Sequence, residues 1–329
     1  MSSLSLLLIG GTGVISSACA RRAVDAGHEV HLLTRGESSL RPAPEGALLH
    51  TADVRDRRAV ESALDGLSFD AVVNFVAFEP AHVQADIELF AGRTGQYVFI
   101  SSTSAYQKPA AVLPITESTP LRNPYLSYSR AKIECEDVLV QAYRRSGFPV
   151  TIVRPSFTYD HTIFPIDGGW TVVDRMRRGL EVILPGDGSS LCSLTHASDF
   201  AETFVELLGD PRTIGDSYHI TTDERLTWRQ AFEAIAAAAG VEPRFVSVPS
   251  EAIAAADPEW GAVLLGDKTH SAFFDNSKVR GIVPGHHARI PYWKGARETV
   301  AWYDANPQER RIDDARSAVM DELAERFRP

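Results

Sequence analysis

The sequence predicts an α/β fold, a doubly wound parallel sheet followed by a smaller C-terminal α/β part. Three observations carry this. Short apolar runs alternate with helical patterns through the first half of the chain. The opening run, Leu4–Ile9, is apolar except for Ser5, as in a strand covered on both faces. It then runs straight into a glycine-rich turn, Gly10-Gly11-Thr12-Gly13.

After that turn, Val14–Ala26 reads as a helix stopped by Gly27. Val30–Leu33, Ala47–His50, Ala71–Asn74 and Tyr97–Ile100 read as further strands, with helices at Arg57–Leu64 and His82–Ala91 between them. A long helix is expected from about Tyr125 to Ser146, ending at Gly147, and Val150–Val153 is the next strand. These segments assign residues 1–154 to the sheet domain and 155–329 mainly to the second part, with later segments able to return to the first. Beyond Arg154-Pro155 the pattern is less regular. It offers helices at Val172–Arg178, Ala197–Leu208 and Thr227–Ala239, a turn at Pro185-Gly186-Asp187-Gly188, and a strand at Arg244–Val248. A polar closing helix is expected from Asn306, started by Asn306-Pro307.

Composition narrows the function classes. With 329 residues the chain can bury a large core. A net charge of -10, with no dominant Lys/Arg block, argues against a nucleic-acid partner. Three scattered cysteines, Cys19, Cys135 and Cys192, fit a reducing cytoplasm better than a disulfide framework. No stretch is long enough to cross a membrane, and the first apolar run lacks the basic start of a signal sequence. His286-His287 have no partners at metal-ligand spacing, so no metal site is expected.

The glycine turn suggests a bound dinucleotide. Glycines let the chain leave a strand tightly and bring backbone N–H groups at the next helix N-terminus close to a pyrophosphate. Gly10, Gly11, Thr12, Gly13, Val14 and Ile15 form the expected cradle, with Ser16 where a third glycine is usual. An ordinary tight turn would look similar. The end of the second strand, Thr34-Arg35-Gly36, lacks the acidic residue that holds ribose hydroxyls. Arg35 could instead meet a 2′-phosphate, which favours NADP over NAD, though a solvated loop arginine reads the same way. Asp53 and Val54 are placed to reach the adenine edge; for Asp53 a turn or N-cap role is the alternative.

Tyr128 and Lys132 lie four residues apart and share one face of the long helix, where an ammonium can stabilise a phenolate. Upstream, Ser101-Ser102-Thr103-Ser104-Ala105-Tyr106 brings hydroxyls to a strand end. With Gly10, Gly11, Gly13, Asp53, Arg154-Pro155-Ser156, and Pro185–Gly188 running on to His196 and Asp199, the chain resembles an extended short-chain dehydrogenase/reductase of the NAD-dependent epimerase/dehydratase family. Its later segments resemble a bacterial branch akin to the chloroplast stem-loop-binding relatives.

The resemblance implies a Rossmann-type sheet and a homodimer built through the long helices. It implies Tyr128 as catalytic acid/base, Lys132 as the group that binds the nicotinamide ribose and lowers the tyrosine pKa, and Ser102 as the third catalytic member, with Thr103 and Ser104 as close alternatives. Phe75, Val76 and Ala77 would line the cofactor, and Pro155, Ser156 and Phe157 would flank the nicotinamide.

Departures from the family pattern bear on the reaction. Dehydratases of the family carry an Asp-Glu pair where this chain has Thr103-Ser104, so dehydration is not expected. The arginines that usually clamp a diphosphate are replaced by Cys192 and Leu264, which cannot supply charged forks. Lys268 or the Arg175/Arg177/Arg178 cluster could compensate, although that cluster reads first as a solvated helix face. Thr103, Ser104, Trp170 (after Gly168-Gly169) and Cys192 are the candidate substrate contacts; His196 reads as structural.

The expected function is an NAD(P)-dependent epimerase acting on a sugar or nucleotide-sugar carbinol through a transient ketone, with NAD as the cofactor if the epimerase retains it between turnovers. The alternatives are an NADP-dependent dehydrogenase or reductase of a sugar, nucleoside or other small carbonyl, and a non-catalytic cofactor-binding or RNA-associated protein.

Overall fold

The computed structural model of the chain describes residues 3–328; Met1, Ser2 and Pro329, at the ends of the two expected parts, lie outside them. The first half comprises β1 (Ser5–Ile9), α1 (Val14–Asp25), β2 (Glu29–Thr34), β3 (Leu48–Thr51), α2 (Arg57–Ala63) and β4 (Phe69–Asn74). It continues with α3 (Pro80–Phe90), β5 (Thr94–Ile100), α4 (Ser127–Ser146) and β6 (Val150–Pro155). The second half contains β7 (Phe157–Tyr159), α5 (Trp170–Arg177), β8 (Glu181–Pro185), β9 (Leu191–Cys192), β10 (Leu194–His196), α6 (Ala197–Leu207) and β11 (Ser217–Ile220). After it come β12 (Leu226–Thr227), α7 (Trp228–Ala239), β13 (Arg244–Val248), α8 (Ser250–Ala256), α9 (Pro258–Val263), α10 (Ser277–Ile282), α11 (Tyr292–Ala305) and α12 (Asp314–Phe327).

Seven strands form one parallel sheet in the order β11-β6-β5-β4-β1-β2-β3. The order reverses between β1 and β4, and the crevice beyond the carboxyl ends of those strands is where such sheets bind ligands. Alternation along β1 shows why both faces must be apolar. Leu6 and Leu8 pack with Cys19, Ala20 and Phe204 of α1 and α6, while Leu7 and Ile9 pack with Val60, Val83 and Leu139 of α2, α3 and α4. Every one of these residues is buried.

β11 completes the sheet by pairing with β6, from Ser217 opposite Ile152 to Ile220 opposite Pro155. A separate core lies around the parallel pair β8–β13, where Trp170, Phe232, Trp260, Tyr292 and Leu323 converge. Thr227 and Gln230 cap α7 reciprocally, and Gly147 ends α4 at φ 69.

Three differences from the sequence reading have local causes. Helix α4 begins at Ser127, two residues past Tyr125, because Asn123 Oδ1 accepts the backbone N–H groups of Tyr125 and Leu126 and holds them in a turn. Helix α11 is absent from the sequence reading. Its Gly295 permits close packing, since a Cβ there would meet Tyr159 Oη at 2.2 Å. Asn306 is the C-cap of α11, not the start of the closing helix, which begins at Asp314 after a short turn at Pro307–Glu309.

Candidate active site

Parallel strands deliver the predicted residues to one edge. Gly10 follows β1, Phe75–Ala77 follow β4, Ser101–Ser104 follow β5, and Pro155 ends β6. Gly10 has φ +85, and a Cβ on it would lie 2.5 Å from Val76 Cγ1; Gly11 would meet Leu32 Cδ2 at 2.8 Å. The missing third glycine is explained by Ser16. Its hydroxyl accepts the Gly13 N–H at 2.7 Å and donates to the Gly10 carbonyl at 2.7 Å, so Ser16 braces the loop from inside.

Val14 and Ile15 open α1, whose first N–H groups have no partner within the helix. This tight loop at a helix N-terminus fits a dinucleotide pyrophosphate. Gly10→Val is expected to cost about 2–5 kcal/mol, from left-handed backbone strain and overpacking, and to abolish retention of a nicotinamide nucleotide. Thermal unfolding and the nucleotide content of the purified variant check this.

The adenosine-side candidates fall around the same crevice. Arg35 sits on an exposed loop after β2, 3.5 Å from Glu37. Asp53 Oδ1 accepts the Arg55 N–H at 2.9 Å, a turn role, and the helix N-cap is Asp56 instead. Arg55 reaches across to donate to the Val76 carbonyl. Val54 lines an open hollow with Ile9, Arg55, Ala81 and His82.

Helix α4 carries the candidate acid/base pair. Ser129, Lys132, Cys135, Glu136 and Leu139 form its buried stripe, and Tyr128 lies at the edge of that stripe, 41% exposed. Lys132 Nζ donates to the carbonyls of Ala77 and Ile100, both at 2.7 Å, and lies over the rings of Phe78 and Phe99. Burial pulls its pKa down to about 8, against the opposing pull of Cys135 and Glu136.

The expected lowering of the Tyr128 pKa by Lys132 is not produced by the protein's own groups. Lys132 Nζ is 5.7 Å from the Tyr128 ring centroid and is engaged with the two carbonyls. Burial by surrounding protein pushes the phenol up to about 12, the nearby Ser102 hydroxyl pulls it down, and Asp267 adds to the rise.

The hydroxyl segment is held as a unit. Ser102 Oγ and Ser104 Oγ are 2.9 Å apart, and Ser129 Oγ on α4 donates to Ser104 Oγ at 2.7 Å. Asn123 Nδ2 donates to the carbonyls of Ser104 and Gly266. Ser104 is thereby committed inward, which leaves Ser102 and Thr103 as the candidate hydroxyls for the reacting oxygen. Behind it, Ser101 Oγ donates to Glu136, which grips Arg154 through two hydrogen bonds, and Arg154 and His219 meet the Tyr106 hydroxyl.

Next to this cluster is a small hollow, with about 10 Å³ of open space, lined by Thr103, Ser156, Phe157 and Cys192 among others. Burial pushes the Cys192 thiol up to about 12, away from the reactive thiolate form. Trp170 does not join them. It is buried at the start of α5, stacked on Tyr303 with ring centroids 5.0 Å apart, in the second core.

The arginine cluster also departs from its reading as a solvated face. Arg175 is buried, donating to the Glu181 carbonyl, Ser317 and Asp321, while Arg177 pairs with Asp304 and Arg178 with Asp174. His196 caps α6, accepting the Ser198 N–H. His286 bonds Thr203 and the Thr221 carbonyl.

The hollow is also lined by residues that sequence reasoning did not find, namely Ser193, Trp228, Asp267 and His270. Lys268 is there too, paired with Asp167 at 2.7 Å, and Asp267 is paired with Lys108 at 2.6 Å. In the sequence, Gly266-Asp267 reads as a turn and Trp228 as packing, and nothing local marks them as pocket residues.

Fold and site together define a nicotinamide-dinucleotide enzyme of the extended short-chain type. Residues 6–221 match the NAD dependent epimerase/dehydratase family, and the chain belongs to that family. It is 28% identical over 258 residues to the chloroplast stem-loop binding protein of 41 kDa b from Arabidopsis thaliana, a match spanning 74% of this chain and 66% of that protein. It is 30% identical over 169 residues to a UDP-glucose 4-epimerase of Lactobacillus helveticus, spanning 46% of this chain and 51% of that enzyme. Among solved structures, UDP-glucose 4-epimerase from Bifidobacterium longum, in complex with NAD+ and UDP, superposes with a TM-score of 0.74 at 18% identity, covering 93% of this chain and 99% of that one. Among the described residues, no helix is long and apolar enough to cross a membrane.

Proposed function

We propose that the protein is an NAD(P)-dependent epimerase of a sugar-type carbinol, working through a transient ketone. The observation that carries this reading is the grouping of Ser102, Tyr128 and Lys132 at the sheet edge beside the glycine loop. Tyr128 takes the hydroxyl proton of the carbinol. Ser102 hydrogen-bonds the oxygen as it becomes a carbonyl, and Lys132 holds positive charge beneath the phenol. A nicotinamide held at the crevice would supply the hydride acceptor and donor for the carbinol carbon. With the hydride restored to the opposite face the centre would be inverted, and Tyr128 would give its proton back to the oxygen.

Gly10–Ile15 would hold the pyrophosphate, with Asp53 and Val54 toward the adenine. Phe75–Ala77 and Pro155–Phe157 would flank the nicotinamide. Arg35, on the exposed loop after β2, suits a 2′-phosphate and favours NADP over NAD.

Mass spectrometry of the nucleotide released on denaturation tests the reading. Stoichiometric nicotinamide dinucleotide supports a recycled cofactor, and its mass decides between NAD and NADP. A protein that emerges empty and binds NADPH reversibly would shift the reading to a reductase.

A further inference from the structure

One buried acid near the site takes no part in the proposed chemistry. Asp86 lies on α3, and its Oδ2 accepts hydrogen bonds from Asn74 Nδ2 at 2.6 Å and from the Tyr97 hydroxyl at 2.5 Å. All three residues are buried, Asn74 on β4 and Tyr97 on β5. Burial pushes the Asp86 pKa up to about 6, while Tyr97, Asn74 and the charge of Arg55 pull it back, so the group is mainly a carboxylate at neutral pH. A carboxylate only accepts hydrogen bonds.

That one-sided chemistry orients Asn74. Its amide has a donor end and an acceptor end, and Asp86 takes the donor end. The acceptor end is thereby turned to the chain just beyond β4, where Asn74 Oδ1 receives the Val76 N–H at 2.8 Å. With the amide reversed, two acceptors would face each other in the interior and the Val76 N–H would lose its partner.

The turn held this way touches both halves of the site. Its Phe75 N–H donates to the Ile9 carbonyl at the end of β1, at 3.1 Å. The Val76 side chain is what leaves no room for a Cβ on Gly10, and the Val76 carbonyl accepts from Arg55. The Ala77 carbonyl is one of the two acceptors of Lys132 Nζ, at 2.7 Å. A displaced turn therefore moves the glycine loop and the lysine together. The Asp86–Tyr97 bond alone would staple α3 to the sheet; the Asn74 bond adds the connection to the turn.

We infer that Asp86 is a positioning residue, which through Asn74 holds the Phe75–Ala77 turn where the glycine loop and Lys132 would meet a dinucleotide. The inference rests on the proposed nicotinamide chemistry and extends it to a residue that itself touches no reacting group.

The full-length protein is titrated with NADH and NADPH by nucleotide fluorescence. Lys132 is followed by NMR of protein labelled at the lysine ε-carbon, assigned with Lys132→Met. Asp86→Ala and Asn74→Ala should each weaken binding of the tighter nucleotide about 3–10-fold and shift the Lys132 titration from its parental position. Because both act through one hydrogen bond, the double variant should bind about as well as Asn74→Ala alone. Asp86→Asn keeps an oxygen for both donors and should stay within about twofold of the parent. Phe90→Leu, in the same core on α3, is the control, and should lower the urea midpoint while leaving both readouts unchanged.

Undiminished affinity in Asp86→Ala, losses that multiply in the double variant, or an Asp86→Asn as weak as the alanine variant overturns the inference. An equal loss in Phe90→Leu does so too, by reducing Asp86 to a stabilising contact. If Asp86→Ala does not fold, Asn74→Ala decides in the same way. A parent that binds neither nucleotide contradicts the dinucleotide reading instead, and the Lys132 titration then decides the role of Asp86 by itself.

Discussion

Replacing Tyr128 with Phe is expected to lower turnover about 10²–10⁴-fold while leaving the fold and nicotinamide binding unchanged. The substitution removes one oxygen at the edge of α4. Tyr128 is 41% exposed, and its ring packs against Phe78 at 6.3 Å between centroids, a contact that phenylalanine keeps. The loss should fall on kcat and kcat/KM together, the signature of an interaction made in the transition state. Ser102→Ala should cost less, because it removes one hydrogen-bonding group and leaves the proton-transferring phenol in place. Turnover by Tyr128→Phe at more than about a tenth of the parent rate would remove Tyr128 from the chemistry.

The second large effect is on stability. Glu136 receives Arg154 Nε at 2.9 Å and Nη2 at 2.5 Å, and both side chains are almost wholly buried. Glu136→Ala leaves the guanidinium uncompensated in the interior, which costs about 3–5 kcal/mol. Ser101 Oγ loses its acceptor in the same step, so the strand end that presents Ser102 loosens as well. Urea unfolding should show the lower midpoint, and turnover should fall more than cofactor binding does. The double variant Glu136→Leu/Arg154→Met should recover much of the stability, since matched apolar groups can replace a buried pair. A Glu136→Ala midpoint within error of the parent would show that the pair is not under tension from burial.

How much of this was legible in the sequence depends on how local each signal was. The strands β1, β2, β4 and β5 announced themselves because parallel strands covered on both faces read as short apolar runs. Tyr128 and Lys132 were legible because helical spacing alone puts them on one face. β11 was not, because its four residues, Ser217–Ile220, carry a Tyr-His pair whose burial comes from α10 and Phe274 far away in the chain. The ion pairs Lys108–Asp267 and Lys268–Asp167 join residues 159 and 101 positions apart, so no spacing rule points to them. Arg175 misled in the opposite direction. Its neighbours Arg177 and Arg178 suggest a solvated face, and only the arrival of α12 explains why Arg175 is buried against Ser317 and Asp321.

The structure also changes how the tyrosine must be activated. The surrounding protein pushes the Tyr128 phenol up to about 12, so in the proposed mechanism positive charge from Lys132 and from an oxidised nicotinamide bound at the crevice would have to bring it down. The most direct measurement is therefore the ionisation of Tyr128 itself, followed by NMR of protein labelled at the tyrosine ζ-carbon, with and without saturating NAD+ or NADP+, and assigned with Tyr128→Phe. The account predicts one phenol that titrates near neutral to mildly alkaline pH only when the oxidised cofactor is bound, and that is missing from the variant. A Tyr128 that stays protonated into strongly alkaline solution with the cofactor bound would contradict it.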